Sequence, residues 1–163
     1  MRQNAEIAAD LRAAVDEGVA LIAAVPETAT TRRPDNGGWC VREVIGHLID
    51  SACNNHRRFI INQSAASLVV DPYDQDDWIA RQHYAEQRAA QLIALWAMYN
   101  RHLASVIAAV PEEVATRVRG DAELDFPFTQ PPSTAPTLAN LADDYVGHLR
   151  HHLRQIAALL SSV

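Results

Sequence analysis

A chain of 163 residues, 48% of them hydrophobic, holds enough apolar material for one core, so a single domain over residues 1–163 is the expectation. A formal charge of −6 with no basic block excludes an extended nucleic-acid surface. No uninterrupted apolar run reaches the ~18 residues of a membrane span.

All 14 basic residues are arginine, which excludes Schiff-base lysines and lysine-dependent phosphate loops. The opening MRQNAEIAADLRAA has no long apolar h-region, so no signal peptide is expected and a cytoplasmic location follows. Cys40 and Cys53 do not make a disulfide framework and are expected as free thiols in a reducing compartment.

Four amphipathic stretches dominate. In the first, residues 4–25, Ile7, Leu11, Val15, Ile22 and Val25 recur at steps of three, four and seven. Pro26 and a polar run to Gly38 end it. The second, 40–63, follows the turn signal Asp35-Asn36-Gly37-Gly38. Cys40 and Glu43 take the slots of a capping box, with cysteine a poor replacement for serine or threonine.

The connection 64–81 predicts a short helical turn around 74–80. The third long helix is expected at 82–110, on a stripe that includes Leu92, Trp96, Leu103 and Ile107. Residues 111–136 read as irregular, because Phe126-Pro-Phe-Thr-Gln-Pro-Pro cannot continue a helix. The fourth helix is expected at 137–160, with Pro136 suited to its first turn. With no credible strand pattern, the fold class is all-α, an antiparallel four-helix bundle.

The chemistry sits on two of these helices. His148 and His152 are one turn apart and share the face of Leu141, Tyr145, Ile156 and Leu159, so both imidazoles aim into the bundle. A pair at that spacing can give two ligands to one metal. Two core histidines hydrogen-bonded elsewhere is the alternative.

On the second helix His47, Asp50, Ser51, Asn54 and Arg58 form one polar stripe. It reads as the wall of an internal wet cavity, or else as a solvated groove. Three neutral histidines, His47, His148 and His152, suit Zn, Ni, Co or Fe(II) with a position left open for Lewis-acid work. Asp144, one turn before His148, is a candidate for orienting that ring.

Several segments together resemble the DinB-like superfamily, and its YfiT-type branch most. They are Gly38-Trp39-Cys-Val-Arg-Glu-Val-Ile-Gly-His47-Leu-Ile-Asp50-Ser51, Asn54 through Phe59, Pro72-Tyr73-Asp74 with Trp78, and Tyr145-Val-Gly-His148-Leu-Arg-His-His152-Leu. The resemblance implies an up-down-down-up bundle, a homodimer, and a three-histidine nickel or zinc site at His47, His148 and His152. It also places Asp50, Asn54, Arg58, Tyr73 and Trp78 in or beside the pocket. Members are described as metal-dependent hydrolases, and relatives use low-molecular-weight thiols as bacillithiol S-transferases or thiol-dependent isomerases. The segment 126–136 matches nothing in that pattern.

Two enzymatic readings follow. In thiol transfer, a small-molecule thiol bound as thiolate attacks an electrophilic substrate, with Arg58 holding an anionic group. In hydrolysis, water is the nucleophile and Asp50 is the candidate base. A non-catalytic metal-binding or stress-response protein is the alternative outside enzymology.

Overall fold

The computed structural model describes residues 2–35, 37–119, 124–133 and 136–161. Four long helices make the bundle: α1 (Asn4–Ala23), α2 (Val41–Ile61), α4 (Ala89–Ala109) and α6 (Leu138–Ser161). Two short helices, α3 (Gln75–Gln82) and α5 (Glu112–Ala115), lie in the connections. Between α5 and α6, β1 (Leu124–Phe126) and β2 (Gln130–Ser133) pair antiparallel, Phe126 opposite Gln130. No helix among the described residues is long and apolar enough to cross a membrane.

Side-chain pairs fix the helix directions. Arg2 meets Asp143, and Arg150 meets Asp10 and Glu17, so α1 and α6 run parallel. Arg101 meets Asp16, and Asn4 reaches the Val110 carbonyl, so α4 runs against α1. His47 faces His152 while Phe59 faces Tyr145, so α2 runs against α6. The order is therefore up-down-down-up. Each of α1 and α2 packs against both α4 and α6, which puts the two consecutive helices α1 and α2 on one diagonal. Trp96, Leu11, Leu48, Leu103, Leu149 and Ile156 fill the space between them.

Three local expectations are corrected. The third long helix starts at Ala89 rather than at residue 82. The chain turns first at His83, whose φ of 52° ends α3 in the left-handed region, and a 3₁₀ turn, Tyr84–Glu86, follows. The stretch 111–136 is not wholly irregular, since α5 and the hairpin lie in it. The prolines that rule out helix there are compatible with a short two-stranded ribbon whose strands have open edges. The polar run after Pro26 also folds, as the 3₁₀ turn Glu27–Thr31.

At the start of α2 the capping box forms despite its cysteine. The Cys40 N–H donates to Glu43 Oε2 at 2.9 Å, and Arg33 pairs with the same carboxylate. Gly46 is required one turn later: a Cβ there would lie 2.1 Å from the Tyr84 ring. Its absence lets that ring settle on α2.

Candidate metal centre

α2 and α6 run in opposite senses with their polar faces together, which brings His47 opposite His148 and His152. Ligand atoms from the three imidazoles all lie within 4.8 Å of one another. His47 Nε2 and His148 Nε2 are 3.1 Å apart. Metal–nitrogen bonds of about 2.0–2.1 Å set at about 90–109° would place two ligand nitrogens about 2.9–3.4 Å apart, so this pair fits.

Each ring is steered from behind. His152 Nδ1 lies 2.7 Å from Gln155 Oε1, which suits an Nδ1–H donor and an Nε2 lone pair turned to the cluster. Ser51 Oγ is 3.5 Å from His148 Nδ1. Trp39 packs against the His47 ring at 5.1 Å between centroids. His47 Nδ1 is buried with no hydrogen-bond partner among the described residues.

Electrostatics keep all three rings neutral. Burial, then the nearby His152, pushes His47 down to about 4. Burial pushes His148 down to about 2, helped by His152, His47, His151 and the Arg58 charge. Burial also lowers His152, partly offset by Gln155. Three neutral imidazoles with converging lone pairs are the donor set a borderline divalent ion requires.

The cluster opens onto a cavity of about 250 Å³. His47, His148, Ser51 and Arg58 line it, as does Tyr73 from the connection before α3. The Arg58 guanidinium donates to the Asp71 carbonyl, while the Asp71 carboxylate is taken by Arg57. Among the described residues no carboxylate lies within ion-pair distance of Arg58. Burial lowers Arg58 somewhat, against the favourable fields of Tyr73 and Asp71. Burial and the neighbouring Asp50 push Tyr73 up to about 12, so its hydroxyl remains a donor at neutral pH.

Of the other residues singled out from sequence, Asp144 lines the cavity, while Asp50, Asn54 and Trp78 do not. Asp50 is buried, its Oδ1 accepting from the Tyr84 hydroxyl at 2.7 Å and from Gln82 Nε2 at 2.8 Å. Burial raises its pKa and the two hydrogen bonds oppose the rise. Asn54 donates to the Asp50 carbonyl of its own helix. Trp78 packs on the Tyr73 ring at 4.9 Å and so backs a cavity residue. The Asp144 carboxylate accepts from the Phe128 N–H at 2.9 Å and from Thr129 Oγ1, which ties the hairpin turn to α6.

Sequence reasoning missed that hairpin as part of the site. Phe126 and Phe128 line the cavity, and Phe128 meets the His148 ring at 5.1 Å. The only available signal was Gly147. A Cβ there would sit 2.8 Å from the Phe128 Cβ, so a residue of this size is what lets the hairpin approach α6.

Comparison with known proteins agrees with this picture. A Bacillus mycoides protein named "Putative metal-dependent hydrolase" is 27% identical over 123 residues, covering 76% of this chain and 65% of its own length. A like-named protein of Oceanobacillus iheyensis is 27% identical over 124 residues, covering 76% of this chain and 66% of its own. The match thus spans just under two thirds of these relatives. In three dimensions the chain is similar to YfiT from Bacillus subtilis, described as having an unusual four-helix bundle topology. The TM-score is 0.77 at 21% identity, over 96% of this chain and 85% of that one. Residues 10–156 match the DinB superfamily, and over that span, bundle and histidine cluster included, the chain belongs to it.

Proposed function

We propose that this protein is a metal-dependent enzyme whose centre is His47, His148 and His152, and that its reaction is the transfer of a low-molecular-weight thiol to a small electrophile. One observation carries the reading: three neutral imidazoles converge at the end of a cavity that also presents the Arg58 cation. Nickel or zinc suits that donor set. A divalent ion held there supplies Lewis acidity, polarising what it binds and lowering its pKa.

The position of Asp50 favours thiol transfer over hydrolysis. Its carboxylate turns to Tyr84 and Gln82 and does not line the cavity, so it is poorly placed to act as a base. A thiol ionises near about 8.5 and water near about 15.7, so the thiol needs far less help from a base. The sulfur–carbon bond forms as the leaving group departs with its electron pair, while Arg58 holds an anionic part of a reactant. The exposed Leu95 and Met98 on α4 offer a face for the expected homodimer.

The test is thiol consumption with simple electrophiles by protein purified without chelator. Metal-dependent consumption is expected, abolished by stripping the metal. Metal-dependent ester or amide cleavage that needs no thiol would replace transfer with hydrolysis.

A further inference from the structure

The cavity has two chemically distinct walls. On one, Arg58 and Tyr73 present donors that no carboxylate among the described residues contacts directly, although Asp71 lies near the first and Asp50 near the second. Arg58 meets only a backbone carbonyl, and the Tyr73 hydroxyl has no hydrogen-bond partner among the described residues. On the other, the hairpin sets two aromatic rings. Phe126 is only 2% exposed and Phe128 is 38% exposed.

Phe128 is held firmly. Its backbone N–H is bound by Asp144 at 2.9 Å, and its Cβ rests over Gly147. Its ring lies 5.1 Å from His148 and 5.4 Å from His151. Asp144 is the one acidic residue lining the cavity among the described residues, and its Oδ1 is engaged by the hairpin turn.

We propose that the substrate bound here is a small carboxylate with a flat apolar body, the carboxylate on Arg58 and Tyr73 and the body against Phe126 and Phe128. This rests on the cavity being the active site and names the two groups, a carboxylate and a flat apolar body, by which it recognises its electrophile. A planar guanidinium forks to a carboxylate, and an unpaired cation in a half-closed cavity gains more from an anion than it would in water. The volume, about 250 Å³, falls below the ~300–1,000 Å³ of drug-sized pockets. A compact molecule fits and a polymer does not. Phe128 then determines specificity, because its ring lines the cavity 5.1 Å from the His148 ring.

Titration calorimetry with phenylacetate, acetate and phenylacetamide tests this directly, using protein as purified with its metal content measured in the same samples. Phenylacetate is expected to bind at least about tenfold tighter than either analogue, about 1.4 kcal/mol. Arg58→Met should erase its advantage over phenylacetamide. Phe128→Ala should erase its advantage over acetate. Phe128→Leu, a milder change, should bring phenylacetate close to a short alkyl carboxylate such as butyrate.

Equal affinities for phenylacetate and acetate, or selectivity unchanged in Arg58→Met and Phe128→Ala, would overturn the proposal. Tighter binding of phenyl phosphate than of phenylacetate would also overturn it. One metal per chain without phenylacetate selectivity sinks this inference and leaves the metal reading standing. Selectivity without metal supports this inference and sinks the metal reading.

Discussion

His47 and His56 sit on the same helix, and each faces an imidazole from another helix, yet the two places differ in kind. His47 is 3% exposed, its Nδ1 has no partner among the described residues, and its Nε2 points at His148. His56 is half-buried, its Nδ1 lies 3.2 Å from the Tyr99 hydroxyl, and its ring meets His102 edge-on at 5.1 Å. Among the described residues only the first place gathers three ligand atoms. The contrast shows that histidine pairs mark a site only where burial removes competing partners and a cavity gives a ligand access.

The largest expected effect breaks the comparison outright. His148→Ala/His152→Ala should take metal content from about one per chain to none, while His56→Ala/His102→Ala should leave it intact. Metal analysis of both variants decides the matter. Full retention in the first variant, or loss in the second, reverses the assignment.

Gly46→Ala should come next, acting on stability through the Asp50 cluster beside the site. The added methyl would meet the Tyr84 ring at 2.1 Å and push its hydroxyl off the buried Asp50. Overpacking and a lost charge-assisted hydrogen bond together cost of the order of 3 kcal/mol. Denaturant unfolding measures it. A loss under about 1 kcal/mol would mean that the ring repacks freely.

Acid should separate the two places further. In the folded chain His47 and His148 titrate near about 4 and about 2, against about 6.5 when unfolded. Below pH ~6.5 the unfolded chain binds more protons, so metal-stripped protein should lose stability as the pH falls from there toward ~4. The slope is up to about 1.4 kcal/mol per pH unit for each histidine. Metal affinity, by contrast, should hold to lower pH than the window of ~6 to 5 expected of freely titrating histidines, because burial already keeps the ligands neutral. A stripped protein equally stable at pH 7 and pH 5 would contradict this.

Periodicity alone located the bundle and the histidine cluster, because both obey the 3.6-residue repeat. Leu141, Tyr145, His148, His152 and Ile156 share a face, and the structure puts them on the inward side of α6. Arg58, eleven residues beyond His47 on the same stripe, lies on the same cavity wall, and its charge is felt at His148.

What depended on contacts between distant segments was not legible. Asp50 shared the stripe of His47, but its partner Tyr84 arrives from a turn in which the sequence suggested continuous helix. Phe126 and Phe128 lay in a proline-rich stretch with no period, and only the tertiary seat over Gly147 brings them to the histidines.

The smallest effect sharpens the comparison from the other side. His56→Ala removes one hydrogen bond to Tyr99 and an edge contact with His102. A hydrogen bond contributes a net ~0.5–1.5 kcal/mol, and partial exposure puts this one at the low end. The melting temperature should fall by only about 1–2 °C at neutral pH, with metal content and catalysis unchanged. Burial, then His102, lowers the His56 pKa in the folded chain, so in the parent protein this residue costs stability as the pH drops below ~6.5. Removing it removes that cost, and the gap in melting temperature between variant and parent should narrow at pH ~5.5. A gap that widens on acidification would mean that His56 gains a partner when protonated, and its environment would then resemble an ion pair rather than the neutral pairing with Tyr99.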